Sequence, residues 1–404
     1  MSPEPRSPLI VAGVVVLLAG IAVAGDGGRT PVDRTSVHDF LGRHWQRPIA
    51  PQGAPPPGFS ALEASLAPES CGSCHPAQHV DWRTTLHAKT MGPGVVGQLK
   101  DLWKGNPESA RLCLTCHAPL AEQQPERRAV FDARLMSQGI VCAACHVREH
   151  RRFGPPRREP FTPAPSSSAR IPHGGTIRAP AFLASEFCGS CHQFGADGLA
   201  LNGKPLENTY EEWRASPAAA RGLHCQDCHM PDRRHLWRGV HDPEMVRSGV
   251  TITLAADRPH YRPDDDVRAR LAIGNTGVGH HFPTYVTPRV VVHVALVDRH
   301  GQELRGSAEE HSIGRDVSVD LTRERSDTRI PAGGRFAIEY RRRLERTAGV
   351  RLRAVVRVEP DHFYTGFFES LLNGAGEESR EIAAALDASR RSAFELYRRD
   401  IPLM

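Results

Sequence analysis

Every cysteine in this 404-residue chain belongs to one of five copies of Cys-x-x-Cys-His. The copies are Cys71-Gly-Ser-Cys74-His75, Cys113-Leu-Thr-Cys116-His117, Cys142-Ala-Ala-Cys145-His146, Cys188-Gly-Ser-Cys191-His192 and Cys225-Gln-Asp-Cys228-His229. Two thiols at this spacing form thioethers to the two vinyl groups of one haem, and the histidine that follows reaches the iron. Zinc and disulfides are the competing chemistries. A structural zinc site draws four ligands from two half-sites, and five identical motifs do not divide into pairs. A disulfide framework gives no reason for a histidine after every second cysteine. The motifs therefore predict five covalently bound haem c groups, with His75, His117, His146, His192 and His229 as proximal iron ligands.

Packed haems change what the rest of the chain must supply. Aromatic residues make up only 6% of the sequence, and hydrophobic residues 40%. Between Cys71 and His229 the porphyrins themselves serve as core. The formal charge of +5 does not imply nucleic-acid binding. Each haem c brings two propionates and a ferric core that returns one positive charge, so five haems bring the total near neutral. The basic residues are almost all Arg, with only Lys89, Lys100, Lys104 and Lys204 as lysines. Arg suits bidentate pairing with carboxylates. Arg151, Arg152, Arg157, Arg158, Arg233 and Arg234 are candidate propionate partners, or alternatively ordinary surface charge.

Leu9 to Ala24 is apolar apart from two glycines and ends in Ala22-Val23-Ala24. An Ala-x-Ala ending marks a secretory signal, and the length is at the lower edge of a membrane span. Residues 1–25 are thus either a cleaved signal or an uncleaved anchor. Both readings put the remainder on the periplasmic side of a bacterial inner membrane, anchored or soluble, where haem c is attached. Residues 26–60 are rich in Pro and Gly and read as a linker. The pentahaem domain is expected over 61–245, mostly helical and irregular. Within it, Arg151 to Gly175 reads as surface chain. From Val250 the pattern changes to alternating or apolar runs of strand length separated by turn residues, the signature of an antiparallel β-sandwich over 246–360. Helical spacing over 361–404 predicts C-terminal helices. The fold class is multidomain α+β.

The haem region contains imperfect repeats. Asp81-Trp82-Arg83 is echoed by Glu212-Trp213-Arg214, and Gly139-Ile-Val-Cys142 by Gly222-Leu-His-Cys225. Ala218 stands in the second repeat where the first has His87, so an uncapped iron is expected there if anywhere. The face of each iron opposite its proximal histidine decides between carrier and catalyst. A second histidine makes an electron carrier, whereas an open face binds small molecules. Of 21 histidines, sixteen are not proximal. The candidate distal ligands are His87, His173, His235, His281, His241 and His150.

The run from Cys71 through Trp82 and His87 to Met91 resembles the opening of the tetrahaem cytochromes that accept electrons from hydroxylamine oxidation in nitrifiers. The motifs at Cys113 and Cys142 resemble the next two of that family, and the resemblance covers about 68–150. It implies electron transfer, and it implies a distal role for His87. The segments around Asn208, Cys225 and Gly279-His-His-Phe-Pro-Thr are similar to larger multihaem cytochromes with a C-terminal sandwich. The Cys-x-x-Cys-Lys motif typical of ammonia-forming nitrite reductases is missing from the sequence. The expected function is single-electron relay between redox partner proteins, with a donor at the membrane and membrane attachment through the N-terminal segment if it is retained. The alternative is a small oxidoreductase of nitrogen compounds, of hydroxylamine or nitrite type, using one five-coordinate haem.

Overall fold

The computed structural model describes residues 34–158, 171–374, 376 and 378–403. The apolar segment Leu9–Ala24 and part of the Pro-rich stretch after Arg158 lie outside the described residues. No helix among the described residues is long and apolar enough to cross a membrane.

The linker reading needs correction from residue 34 onward. Arg34–His44 is a helix, α1. Val37, Phe40 and Leu41 fall at helical spacing, and they pack on Ala181 and Ala184. Further along, Ile49 is buried and bridges to Leu120. This segment is thus folded onto the haem-motif region rather than spanning a gap.

The haem-motif region is a set of short helices and turns with little sheet. Its longest helices are α2 (Pro93–Gly105) and α3 (Pro107–His117). Each motif sits in a single helical turn or at a helix end, which projects two cysteines and a histidine from one short piece of backbone. The repeats seen in the sequence have a structural counterpart. Trp82 Nε1 donates to the carbonyl of Ile140 at 2.8 Å, and Trp213 Nε1 donates to that of Leu223 at 2.8 Å. Each acceptor follows a glycine of left-handed backbone, Gly139 or Gly222. At Gly139 a side chain would also collide with the His87 carbonyl, 2.7 Å from a Cβ, so the residue fixes the approach of His87.

The C-terminal region is a two-sheet antiparallel sandwich. Its strands are β1 (Val250–Ala256), β2 (Asp266–Asn275), β3 (Arg289–Val297), β4 (Glu309–Val317), β5 (Glu324–Asp327), β6 (Arg335–Arg343), β7 (Arg351–Glu359) and β8 (Phe394–Pro402). One sheet has the order β5-β4-β3-β7-β8 and the other β6-β2-β1. Alternating residues such as Val290, Val292 and Val294 of β3 and Leu352, Ala354 and Val356 of β7 fill the space between them. Between β7 and β8 the chain makes a helical hairpin, α4 (His362–Leu372) and α5 (Ser379–Arg391). The expectation of helix to the C-terminus therefore fails after Arg391. Leu396 and Leu403 are buried in the sandwich core, and β8 pairs along β7 from Val358 to Arg351.

The hairpin rests on the haem-motif region. Helices α4 and α5 approach α2 closely because α2 carries Gly94 and Gly97. A Cβ on these would come within 2.6 Å of Phe368 and 2.5 Å of Ile382.

A multihaem site built from paired histidines

None of the ten cysteines is joined to another by a disulfide. Thiols of different motifs nevertheless lie side by side. Cys71 contacts Cys142, and Cys188 contacts Cys225. Cys116 contacts Cys191, and Arg47 donates to both sulfurs at 3.2 Å. Cys145 is close enough to Cys188 and Cys191 to influence both electrostatically. The first motif is thus next to the third, the third faces the fourth, and the fourth adjoins both the second and the fifth.

The histidines are placed with equal regularity. His87 and His192 have ring centroids 6.3 Å apart, His146 and His235 6.1 Å, and His229 and His280 6.3 Å. An imidazole nitrogen lies about 2 Å from a metal it binds. Adding about 1 Å from nitrogen to ring centre on each side, two rings on opposite faces of one metal are roughly 6 Å apart. The three pairs have the spacing that one iron between them requires, and each contains one motif histidine. Among the described residues no such ring pair forms at His75 or His117.

Which nitrogen each histidine spends provides a second, independent test. Iron ligation through Nε2 leaves Nδ1–H to be satisfied by an acceptor. Nδ1 of His117 meets the Thr90 carbonyl at 2.9 Å, that of His146 the Phe153 carbonyl at 2.8 Å, and that of His229 the Arg238 carbonyl at 2.6 Å. His192 differs in using a side chain, the Tyr285 hydroxyl at 2.7 Å. Two of the three non-motif partners follow the same rule. His235 Nδ1 meets the Arg233 carbonyl at 3.1 Å and His280 Nδ1 the His281 carbonyl at 2.8 Å. Burial pushes His87 down to about 3, and His146, His192 and His280 to about 4. These rings are neutral at physiological pH, each with a lone pair available. The residues present therefore fit covalent haem.

His173 also directs Nδ1 to a carbonyl, that of Gly175 at 2.9 Å. Its backbone N–H donates to Glu63 at 2.7 Å, in the short helix Ala61–Ala64 that packs against the helix bearing Cys71. The other three candidates are not brought to a motif histidine. His150 spends Nε2 on the Gly53 carbonyl at 3.0 Å, and His241 spends Nε2 on both oxygens of Asp361 at 3.0 Å. His281 turns Nδ1 toward Glu212, 3.4 Å away. The sequence reading chose His281 of this turn, whereas the ring that faces a motif histidine is that of its neighbour His280.

Two buried acids, in equivalent repeat positions, hold the segments that deliver these rings. Asp81 accepts two bonds from Arg234, at 2.7 and 2.6 Å, and one from the His235 amide at 3.0 Å. Glu212 accepts from Arg329 at 2.7 Å and from the His281 amide at 3.2 Å. Asp81 is held below the ordinary carboxylate range chiefly by the Arg234 bond. Arg234 is therefore engaged with protein. Arg152 donates to the carbonyls of His150 and Glu63, Arg233 to that of Pro156, and Arg158 pairs with Asp232. Ala218, expected to mark an open iron, instead makes room for the sandwich. A Cβ on Gly279 would lie 3.1 Å from the Ala218 methyl. The ring that faces His229 comes instead from the β2–β3 connection.

Residues 70–147 match the family described as cytochrome c554 and c-prime. No curated protein matches the chain. Among solved structures, a penta-heme cytochrome c552 from Thermochromatium tepidum superposes with a TM-score of 0.58 at 19% identity, covering 85% of this chain and all of that one. A structural genomics consortium target, with a TM-score of 0.18 at 9% identity covering 38% of this chain and 87% of that one, is too dissimilar to inform the reading. The same holds for a β-glucuronidase from Bacteroides uniformis, with a TM-score of 0.16 at 8% identity, covering 27% of this chain and 11% of that one. The family match spans the first three motifs, and the superposition shows a shared fold.

Proposed function

We propose that the chain is a pentahaem c-type cytochrome that relays single electrons on the periplasmic side of the inner membrane, between a membrane-side donor and a second redox protein. Electron acceptance of the nitrification type, which residues 68–150 resemble, belongs to this proposal. The observation that carries it is the pairing of imidazoles at iron-spanning distance. Two-histidine capping keeps a metal's surroundings nearly unchanged between oxidation states, which suits a carrier. In this reading His192 pairs with His87, His146 with His235 and His229 with His280. His173, whose Nε2 is left over beside the first motif, caps the iron of His75. The contacts between motifs supply a connected path, running from the first through the third to the fourth, which branches to the second and fifth.

His117 has no opposing imidazole among the described residues. That observation favours a second reading, in which one haem also binds small molecules. It shifts the open iron from the second repeat, where Ala218 had placed it, to the first. Haem quantitation with EPR of the oxidised holoprotein tests both readings. The expected result is five haems, four low-spin and one high-spin. Fewer than five haems, or several high-spin signals, would remove the relay as the main function.

A further inference from the structure

Two of the three histidine pairs meet at one tryptophan. The Trp237 ring lies 4.8 Å from the His87 ring at 71° and 5.1 Å from the His235 ring at 89°. Both contacts are edge-to-face, a geometry in which aromatic rings attract one another. In the pairing above, His87 faces His192 and His235 faces His146, so Trp237 touches rings that belong to the fourth and third irons. Among the described residues it makes no ring contact with either motif histidine of those pairs. A ring lying in the plane that a porphyrin takes would be as near to one member of a pair as to the other. Trp237 therefore stands outside both porphyrin planes.

The backbone holds the indole there. Trp237 N–H donates to the His229 carbonyl at 2.9 Å, and the carbonyl of the next residue, Arg238, accepts from His229 Nδ1 at 2.6 Å. The segment that carries the tryptophan is thus fastened twice to the fifth motif. Trp237 itself has a φ of 39°, a left-handed conformation in which a bulky residue is strained. Such strain persists where the surroundings over-determine it, and here two bonds to one proximal histidine do so.

The two imidazoles do not need the tryptophan equally. His235 has its Nδ1 bond to the Arg233 carbonyl, which limits rotation of its ring. The backbone of His87 is fixed, its carbonyl accepting from the Ile140 amide at 2.9 Å, but among the described residues its ring makes no hydrogen bond. An axial imidazole without one is free to turn about its bond to iron. The edge-to-face contact with Trp237 supplies the restraint that a hydrogen-bond acceptor supplies elsewhere.

We propose that Trp237 is a positioning residue shared by two haems, one that sets the plane of the His87 ring on the fourth iron and braces the already bonded His235 ring on the third. This rests on the reading that His87 and His192 cap one iron. The angle between the two axial ring planes, 51° in this pair, governs the g values of low-spin ferric haem and contributes to its potential. The tryptophan acts on the relay by holding that angle.

The test is EPR of the oxidised, full-length holoprotein. His87→Ala first identifies the component, as the low-spin signal that this substitution turns high-spin. Trp237→Met keeps an apolar side chain but removes the ring. It should retain five haems and every low-spin haem, and it should shift the largest g value of the His87 component beyond its linewidth. The third haem should move by less and the others stay in place. Trp237→Phe, whose smaller ring reaches the imidazoles less closely, should shift the same component by a smaller amount. It carries the test alone if Trp237→Met loses haem. An unchanged His87 component in Trp237→Phe and, where it assembles, Trp237→Met overturns the proposal. So does an equal or larger shift in any other component, which marks a general loss of packing. If His87→Ala produces no additional high-spin haem, the pairing on which the proposal rests fails with it.

Discussion

At the scale of single residues, the choice between the two ring nitrogens separates the histidines better than burial does. His44 and His150 are more fully buried than the paired rings, yet both spend Nε2 on backbone carbonyls. That distinction cannot be read from a sequence, because it depends on where the local backbone places a carbonyl. The Gly279-His280-His281 run shows this most clearly. Both histidines were visible, but only the turn fixes that His280 Nδ1 meets the carbonyl of its own neighbour. His280→Ala should therefore leave five haems and convert one from low-spin to high-spin, whereas His281→Ala should leave the EPR spectrum unchanged. The Tyr285 contact makes a different prediction. A proton donated from Nδ1 makes the imidazole a stronger ligand and favours ferric iron. Tyr285→Phe deletes the acceptor for His192, so the potential of one haem should rise. A net hydrogen bond is about 1 kcal/mol, which corresponds to a shift on the order of tens of millivolts. Redox titration followed optically would show one component moving upward, and a downward shift would refute the assignment.

At the scale of elements, the repeats were legible because their tryptophans and glycines recur with their spacing intact, and the structure gives the reason in two equivalent indole-to-carbonyl bonds. The role of the acids before those tryptophans was not legible, since their partners are 153 and 117 residues away. Asp81 anchors the segment carrying His235 through Arg234, which is half exposed. Asp81→Asn should cost about 1–2 kcal/mol, the loss of charge-assisted bonds discounted for solvent screening of the arginine. Because the folded pKa of Asp81 is depressed, its contribution is present above the unfolded value of 3.8 and is lost as pH falls through the folded value. Thermal unfolding of wild type and Asp81→Asn should therefore differ at neutral pH and converge in the acid range below about 4. A difference that persists undiminished to pH 2 would assign the effect to packing instead.

At the scale of the whole molecule, the proposed reading makes the sandwich part of the redox site. The strand pattern was legible from alternation, but its purpose was not. The signal was the missing histidine at Ala218, which reads alone as an open iron and reads together with Gly279 as space for a donated ligand. The junction is fastened by Glu212 and Arg329, whose side chains are 2% and 4% exposed. Asp327 neutralises the second side of that guanidinium at 2.9 Å. Breaking a buried pair by removing one partner leaves an uncompensated charge and typically costs 3–5 kcal/mol, more than the pair contributes when whole. Arg329→Met should therefore lower the unfolding midpoint strongly. It should also release the turn that carries His280, so that a high-spin signal grows from the fifth motif while the haem count stays at five. Glu212→Gln keeps acceptors for the His281 amide and the Thr284 hydroxyl and should have the smaller effect on both measurements. If Arg329→Met loses stability but keeps His229 fully capped, the β2–β3 turn is held by the Ala218 contact and the Asn275 bond to the His280 carbonyl, and the ion pair serves only to join the two regions.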